Sequence, residues 1–206
     1  MSKEKLLLIR SGGYANSCID VIEQDGIFDI AGLVGHPNEI GSRHFGYEVN
    51  ASNADLESLF LDFKFALGTI GHIKSAKSRI RLYSQIKSIW FKVPSIKSKS
   101  AYVSEHAKIG DGTIVMHDVI LNSGSVVGSN CIINTRLLIE HDVKVSDHCP
   151  VSIGVVDSGG VQIGSGTFIG SRSFTCDNLF IGDECLVGIG TILLHDLQSQ
   201  TKKVNK

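Results

Sequence analysis

Three things are scarce in this chain. Positive charge is not in excess: 20 Lys and Arg against 21 Asp and Glu leave a formal net charge of −1 and a pI near 6.7. No basic field is therefore available for nucleic acid or an anionic membrane. Long apolar runs are missing too. Residues 1–10 carry only a short one, Leu6-Leu7-Leu8-Ile9, with no small-residue cleavage site. That reads as neither a signal peptide nor a membrane-inserted helix, and it sets the expectation of a cytoplasmic protein. Finally, the 5 cysteines form no CxxC and no Cys-plus-His spacing, so no metal is expected. Cys18, Cys131, Cys149, Cys176 and Cys185 are expected as buried thiols. Small molecules and further copies of the chain are left as partners.

The pattern that is present is a period of six. Sixteen hexads run from Ala101 to Asp196 without an insertion, and their first position holds Val103, Ile109, Val115, Leu121 and onward to Leu193. Only Asp157 and Thr175 interrupt that aliphatic series. Small or β-branched residues such as Thr113, Cys131, Thr167 and Thr191 stand four places later. An α-helical period cannot give six. One inward aliphatic per hexad is the mark of a hexapeptide β-helix, in which three hexads make one triangular coil and each coil is buried only by its neighbours.

The first 93 residues follow another rule. An apolar run (Lys5–Arg10) is followed by Ser11-Gly12-Gly13 and by helical spacing through Ala15, Cys18, Val21 and Ile22. Strands are then expected at Ile27–Val34, Tyr47–Val49, Phe63–Ile70 and Ile89–Val93, with helices at Ala54–Leu61 and Ser75–Ile86. Alternating elements predict a small parallel sheet covered by helices. The Ser-Gly-Gly turn offers N–H groups and a helix N-terminus to a phosphate, or serves as a plain tight turn, since it lacks the full dinucleotide spacing. Residues 94–100 lack periodicity and read as a linker. Residues 101–196 form the β-helix, and 197–206, with Lys202, Lys203 and Lys206, a loose polar tail.

In a triangular solenoid, residues eighteen apart stack. His141 therefore has Ser123 and Glu105 below it and Gly159, Asp177 and His195 above. Its corner position turns the imidazole outward, where it either reaches a ligand, with Asp142 orienting the ring, or is simply solvated. Asp157 and Thr175 also stack. A carboxylate facing inward there would need satisfaction by Thr175 and nearby N–H groups, and the freedom of Ser158-Gly159-Gly160 favours an outward bulge instead.

At these residues a resemblance enters. Ile133-Asn134-Thr135, Ile139-Glu140-His141-Asp142, Asp147-His148-Cys149 and Gly159-Gly160-Val161-Gln162-Ile163-Gly164, together with Leu6–Ile22, resemble the NeuD-like and PglD-like sugar acetyltransferases over essentially the whole chain. The resemblance implies a Rossmann-like α/β domain followed by a left-handed parallel β-helix, assembled as a homotrimer with acetyl-CoA held between neighbouring copies. It implies His141 as general base, Asp142 as its acidic partner, Gly159 as oxyanion and cofactor contact, and Ser171 and Ile189 along the CoA channel. Substrate contacts fall to Ser11, Gly12, Gly13, Tyr14, Thr69 and His148. The activity implied is acetyl transfer to an amino or hydroxyl group of a nucleotide-linked sugar in bacterial surface-glycan synthesis. The chain departs from the family pattern in four places: Arg10 replaces the first Gly of the turn, Tyr14 replaces its His, Pro150 replaces a second His, and a Gly-x-Pro-Ala-Lys ending is missing. Two other readings stay open, a sialic-acid-type O-acetyltransferase and a β-helix that binds without transferring.

Overall fold

The computed structural model describes residues 3–71 and 76–204. The chain divides into two compact units, Met1–Ile96 and Lys97–Lys206.

The first unit is a mixed sheet with helices in the connections. Strand β1 (Glu4–Ile9) leads through the glycine turn into helix α1 (Gly13–Asp25). Then come β2 (Phe28–Gly35), β3 (Arg43–His44), β4 (Tyr47–Ser52), α2 (Leu56–Asp62), β5 (Phe65–Gly68) and α3 (Lys77–Ser88). The sheet order is β3-β4-β2-β1-β5, parallel except for the β3–β4 pair at one edge. Leu6 to Ile9 are buried without alternation, as a strand covered on both faces requires. Helix α1 stops at Gly26, whose left-handed backbone (φ 69°) lets its N–H reach the Ile22 carbonyl at 3.0 Å. The chain lays β2 and β4 on one side of β1 and then returns to place β5 on the other. The carboxyl ends of β1 and β5 thus flank a switch point, where a crevice opens in sheets of this kind.

Several local expectations are corrected here. No strand forms over Ile89–Val93: α3 runs on to Ser88, Trp90 takes a left-handed turn (φ 74°), and only Lys92 bridges to Phe65. The expected helix Ala54–Leu61 is split into a 3-10 turn (Asn53–Asp55) and α2, because the Asp55 carboxylate accepts the Ser52 N–H at 2.8 Å and the Ser52 hydroxyl at 2.9 Å. Ser75, the expected start of the last helix, lies outside the described residues.

The second unit is a parallel β-helix of two-residue strands in three sheets. Strands eighteen residues apart pair in register, for example Ile120-Leu121 with Leu138-Ile139 and Val126-Val127 with Lys144-Val145. We call the sheet from Tyr102–Val103 to Ile192–Leu193 the first face, that from Lys108–Ile109 to Phe180–Ile181 the second, and that ending at Lys202–Lys203 the third. The inward stripe, Val115, Leu121, Val127, Ile133 and onward, is the core. From Gly112 to Gly190 the fourth residue of every hexad is left-handed, and eight of these fourteen are not glycine, Arg136 and Arg172 among them. Their N–H groups point to the coil below, as in Asp142 N–H to the Ser123 carbonyl (3.1 Å) and Gly160 N–H to the His141 carbonyl (2.9 Å). Bonds between coils therefore hold a conformation that the side chains alone disfavour.

The solenoid also takes in both flanks. Residues 94–100 are not a free linker, since Ile96–Lys97 is a strand of the third face and Ser98 donates its N–H to the Val115 carbonyl at 2.9 Å. Nor is the described part of the tail, residues 197–204, frayed. Lys202–Lys203 pairs with Leu186–Val187, and Leu197 bridges Ile181, at a spacing of sixteen rather than eighteen. The stack is shortened by two residues at a turn where the Asp196 carboxylate accepts the Phe180 N–H (2.8 Å). Asp157 faces inward in an unbroken strand and is fully buried, so the expected outward bulge does not occur. Four cysteines are buried as expected, and Cys176 is exposed because it sits just past the stripe at a corner.

Candidate functional site

Two places gather the residues singled out in the sequence. The first is the corner between the first and second faces. His141 Nδ1 lies 3.1 Å from Asp142 Oδ2, and both side chains are largely exposed. Two glycines make room for the pair. A Cβ on Gly159, one coil above, would meet His141 Nε2 at 2.6 Å and Cε1 at 2.7 Å, so the ring lies directly against that glycine. A Cβ on Gly124, one coil below, would strike the Asp142 carboxylate. Glu140 braces the corner from the side, with its carboxylate accepting from Asn122 Nδ2 (3.0 Å) and from the His141 N–H (3.3 Å).

The carboxylate on Nδ1 assigns that nitrogen the proton and leaves Nε2, on the Gly159 side, as a base. Gly159 is buried beneath the ring, and its N–H has no acceptor among the described residues. The His141 ring, the Asp142 carboxylate and the Gly159 backbone thus lie together at one corner. Gly124 was not singled out in the sequence, although subtracting eighteen from Asp142 finds it.

The other solenoid residues stand elsewhere. Ser171 and Ile189 stack on the corner between the third and first faces, and His148 lies on the corner between the second and third. Neither corner is that of His141, so one solenoid does not bring them together. His148 is itself in a left-handed turn, with Nδ1 2.9 Å from Asn130 Nδ2.

The second place is a cavity of about 540 Å³ at the switch point of the first unit. Ser11, Gly12, Gly13, Tyr14 and Thr69 all line it, joined by Arg10, His36, Glu39, Asn53 and Arg81, which sequence reasoning did not place there. A Cβ on Gly12 or Gly13 would meet nothing within 4 Å, so the turn borders open space. Thr69 is committed to the scaffold. Its hydroxyl donates to the Arg10 carbonyl at 2.5 Å and lies 3.1 Å from that of Ile9, tying β5 to the turn. The Glu39 carboxylate is held below its ordinary range, chiefly by the His36 N–H at 2.6 Å. Burial pushes the Tyr14 hydroxyl and the Cys18 thiol up, the latter to about 12. Among the described residues no helix is long and apolar enough to cross a membrane.

No family model matches the chain, and no curated protein does. Solved structures do. A histidine-to-asparagine mutant of perosamine N-acetyltransferase from Caulobacter crescentus, in complex with CoA and GDP-perosamine, superposes with a TM-score of 0.92 at 23% identity, over 99% of this chain and 95% of that one. The acetyltransferase domain of PglB from Neisseria gonorrhoeae, in complex with acetyl coenzyme A, gives 0.90 at 22%, over 99% and 97%. WeeI from Acinetobacter baumannii gives 0.74 at 18%, over 98% and 97%. At these identities the likeness is one of fold, and it extends over both units.

Proposed function

We propose that the chain is an acetyl-CoA-dependent acetyltransferase acting on an amino or hydroxyl group of a nucleotide-linked sugar, in bacterial surface-glycan synthesis. The observation that carries this reading is the His141–Asp142 pair lying against Gly159 with a backbone N–H to spare. His141 Nε2 takes the proton of the attacking amine or hydroxyl while Nδ1–H stays bonded to Asp142, which stabilises the imidazolium. The nucleophile adds to the thioester carbonyl, and the Gly159 N–H donates to the oxygen that becomes negative. On collapse the C–S bond breaks and the imidazolium returns its proton to the leaving thiolate, so the base is regenerated. Fold-level similarity to acetyltransferases solved with CoA, acetyl-CoA and a GDP-sugar supports the substrate classes. In this reading the first unit is a Rossmann-like nucleotide-sugar domain and the solenoid is left-handed.

The reading includes a homotrimer. Every outward residue of the first face is apolar: Tyr102, Ile120, Leu138, Val156, Phe174 and Ile192, with Tyr102 61% and Ile192 63% exposed. A lone solenoid would leave this stripe in water, and a closed ring covers it without open edges. The corners bounding that face are those of His141 and of Ser171 with Ile189. A neighbour packed on the face would bring one copy's base to the next copy's proposed CoA residues.

The test is release of free thiol from acetyl-CoA in the presence of UDP-, GDP-, dTDP- and CMP-linked sugars. His141→Ala is expected to lower turnover by ~10²-fold or more with acetyl-CoA affinity nearly unchanged. Turnover within a few-fold of wild type would refute the base. No thiol release with any sugar would favour a solenoid that binds without transferring.

A further inference from the structure

Among the described residues, the buried side-chain polar atoms without a hydrogen-bond partner are Ser11 Oγ, Tyr14 Oη, Asn53 Oδ1 and the two carboxylate oxygens of Asp157. Folded interiors satisfy nearly all such atoms, so their distribution is informative. Setting Asp157 aside, every one belongs to a residue lining the 540 Å³ cavity. Ser11 is almost fully buried; its Oγ and the Glu39 carboxylate converge over Gly35 without a hydrogen bond of good geometry. Around Tyr14 Oη stand the Cys18 thiol, a weak partner, and the charge of Arg79, which makes no hydrogen bond to it.

Arg10 is the oddest residue on the same wall. Its backbone is left-handed (φ 95°), a conformation free for glycine and costly for any residue with a Cβ. The main chain is clamped there, Arg10 N–H to the Val34 carbonyl at 2.7 Å and Arg10 carbonyl to the Thr69 hydroxyl at 2.5 Å. Nη1 lies 3.2 Å from His36 Nδ1 and 3.0 Å from Nε2. An in-plane donor nearly equidistant from both ring nitrogens would strike the Cε1 between them, so the guanidinium rests on the imidazole face. Stacking of that kind fixes the fork while leaving other N–H groups free. Arg81 of α3 lines the cavity too and makes no ion pair among the described residues. No acid occupies the first turn of α1, whose N–H groups begin beside the glycines.

We propose that Arg10 is a specificity-determining ligand residue, whose stacked guanidinium binds, together with Arg81 and the turn before α1, the diphosphate of a nucleoside-diphosphate ligand. The proposal deepens the nucleotide-linked-sugar reading and rests on it. Two guanidinium groups match two phosphate charges, and the planar fork engages phosphate oxygens in pairs. The Glu39 carboxylate lies near Arg10 and His36 and feels the Arg10 charge, so it accepts hydroxyl donors on that wall and leaves the phosphates to the outer N–H groups of Arg10, to Arg81 and to the turn. Arg10 occupies a backbone position made for glycine, and phosphate binding is what its side chain returns.

The test titrates the full chain calorimetrically with UDP, GDP, dTDP, CDP, inorganic pyrophosphate and the uncharged nucleosides, at one salt concentration. At least one nucleoside diphosphate binds wild type more tightly than its nucleoside. Arg10→Gly raises the melting temperature, because the strain is gone, yet weakens that diphosphate by about tenfold or more and leaves the nucleoside unchanged. Arg10→Lys, which keeps the charge without the fork, falls between. The proposal is overturned if Arg10→Gly binds the diphosphate within about twofold of wild type, if nucleosides bind wild type as tightly as their diphosphates, or if neither the diphosphates nor pyrophosphate bind. Thiol release is read separately. Diphosphate binding without acetyl transfer would sink the enzyme reading and leave the Arg10 site standing.

Discussion

Asp157 offers a stability measurement whose sign and size follow from its surroundings. The carboxyl is completely buried in the aliphatic stripe, between Ile139 below and Thr175 above. The Thr175 hydroxyl accepts the Ser158 N–H at 3.0 Å, which leaves its own proton free to turn toward Asp157. That is a weak electrostatic contact and not a hydrogen bond of good geometry, and it offsets only part of the burial. Burial raises the carboxyl from its ordinary value near 3.8 to about 7. The raised group binds its proton more tightly in the folded state, so its contribution is neutral below about pH 4, where both states are protonated. A penalty then grows as pH climbs through about 7 and stays constant above. A gap of about three pH units corresponds to ~4 kcal/mol, lost by the folded solenoid at neutral and alkaline pH. Asp157→Asn keeps the shape and removes the ionisation, and Asp157→Val also restores the stripe. The melting curves of wild type and Asp157→Asn should converge near pH 4 and separate toward pH 8, the variant's solenoid melting on the order of 10 °C higher there. Asp157→Val should be at least as stable as Asp157→Asn. Every other ionisable group is common to both proteins and cancels in the comparison. Parallel curves from pH 4 to pH 8, or a lower melting temperature for Asp157→Val, would refute the inward, unpaired carboxylate. Turnover should stay unchanged in both variants, since the side chain points away from His141.

Phe174→Glu, on the apolar first face next to its last strand, should convert a trimer to monomers and abolish turnover with each unit still folded; light scattering that finds wild type already monomeric at micromolar concentration removes the shared CoA seam. Gly159→Ala should displace the His141 ring, because its Cβ would come within 2.6 Å of Nε2, and turnover should fall by ~10²-fold or more at nearly unchanged thermal stability. Undiminished activity in the Gly159→Ala protein would show that the ring is free to work elsewhere.

The solenoid and its candidate corner were legible because a strict period turns sequence distance into space. Eighteen residues from His141 comes Gly159, and the ring does lie against it. Register was readable wherever the period held and was lost where it changed. Ile96–Lys97 and Lys202–Lys203 put lysine in the stripe position at the open ends, and the last coil is two residues short. The left-handed fourth position stayed hidden because inter-coil hydrogen bonds hold it, so Arg, His and Glu occupy it alongside Gly and Asn. The cavity of the first unit gave no periodic signal at all. Arg10, His36, Asn53 and Arg81 come from separate connections and are brought together only by the sheet order.

Arg10 and Asp157 both break a local rule, and their settings give the two breaks different meanings. Arg10 carries a strained backbone, yet its side chain ends at a cavity among polar atoms that lack partners, where a ligand can repay the cost. Asp157 lies in a relaxed strand with an apolar stripe around it, where no ligand can reach, so its cost stays with the fold. Removing Arg10 should therefore trade binding for stability, whereas removing the Asp157 charge should raise stability and trade nothing. A chain in which Arg10→Gly and Asp157→Asn were both stabilising, with nucleoside-diphosphate binding intact in each, would reduce the two to the same kind of tolerated substitution.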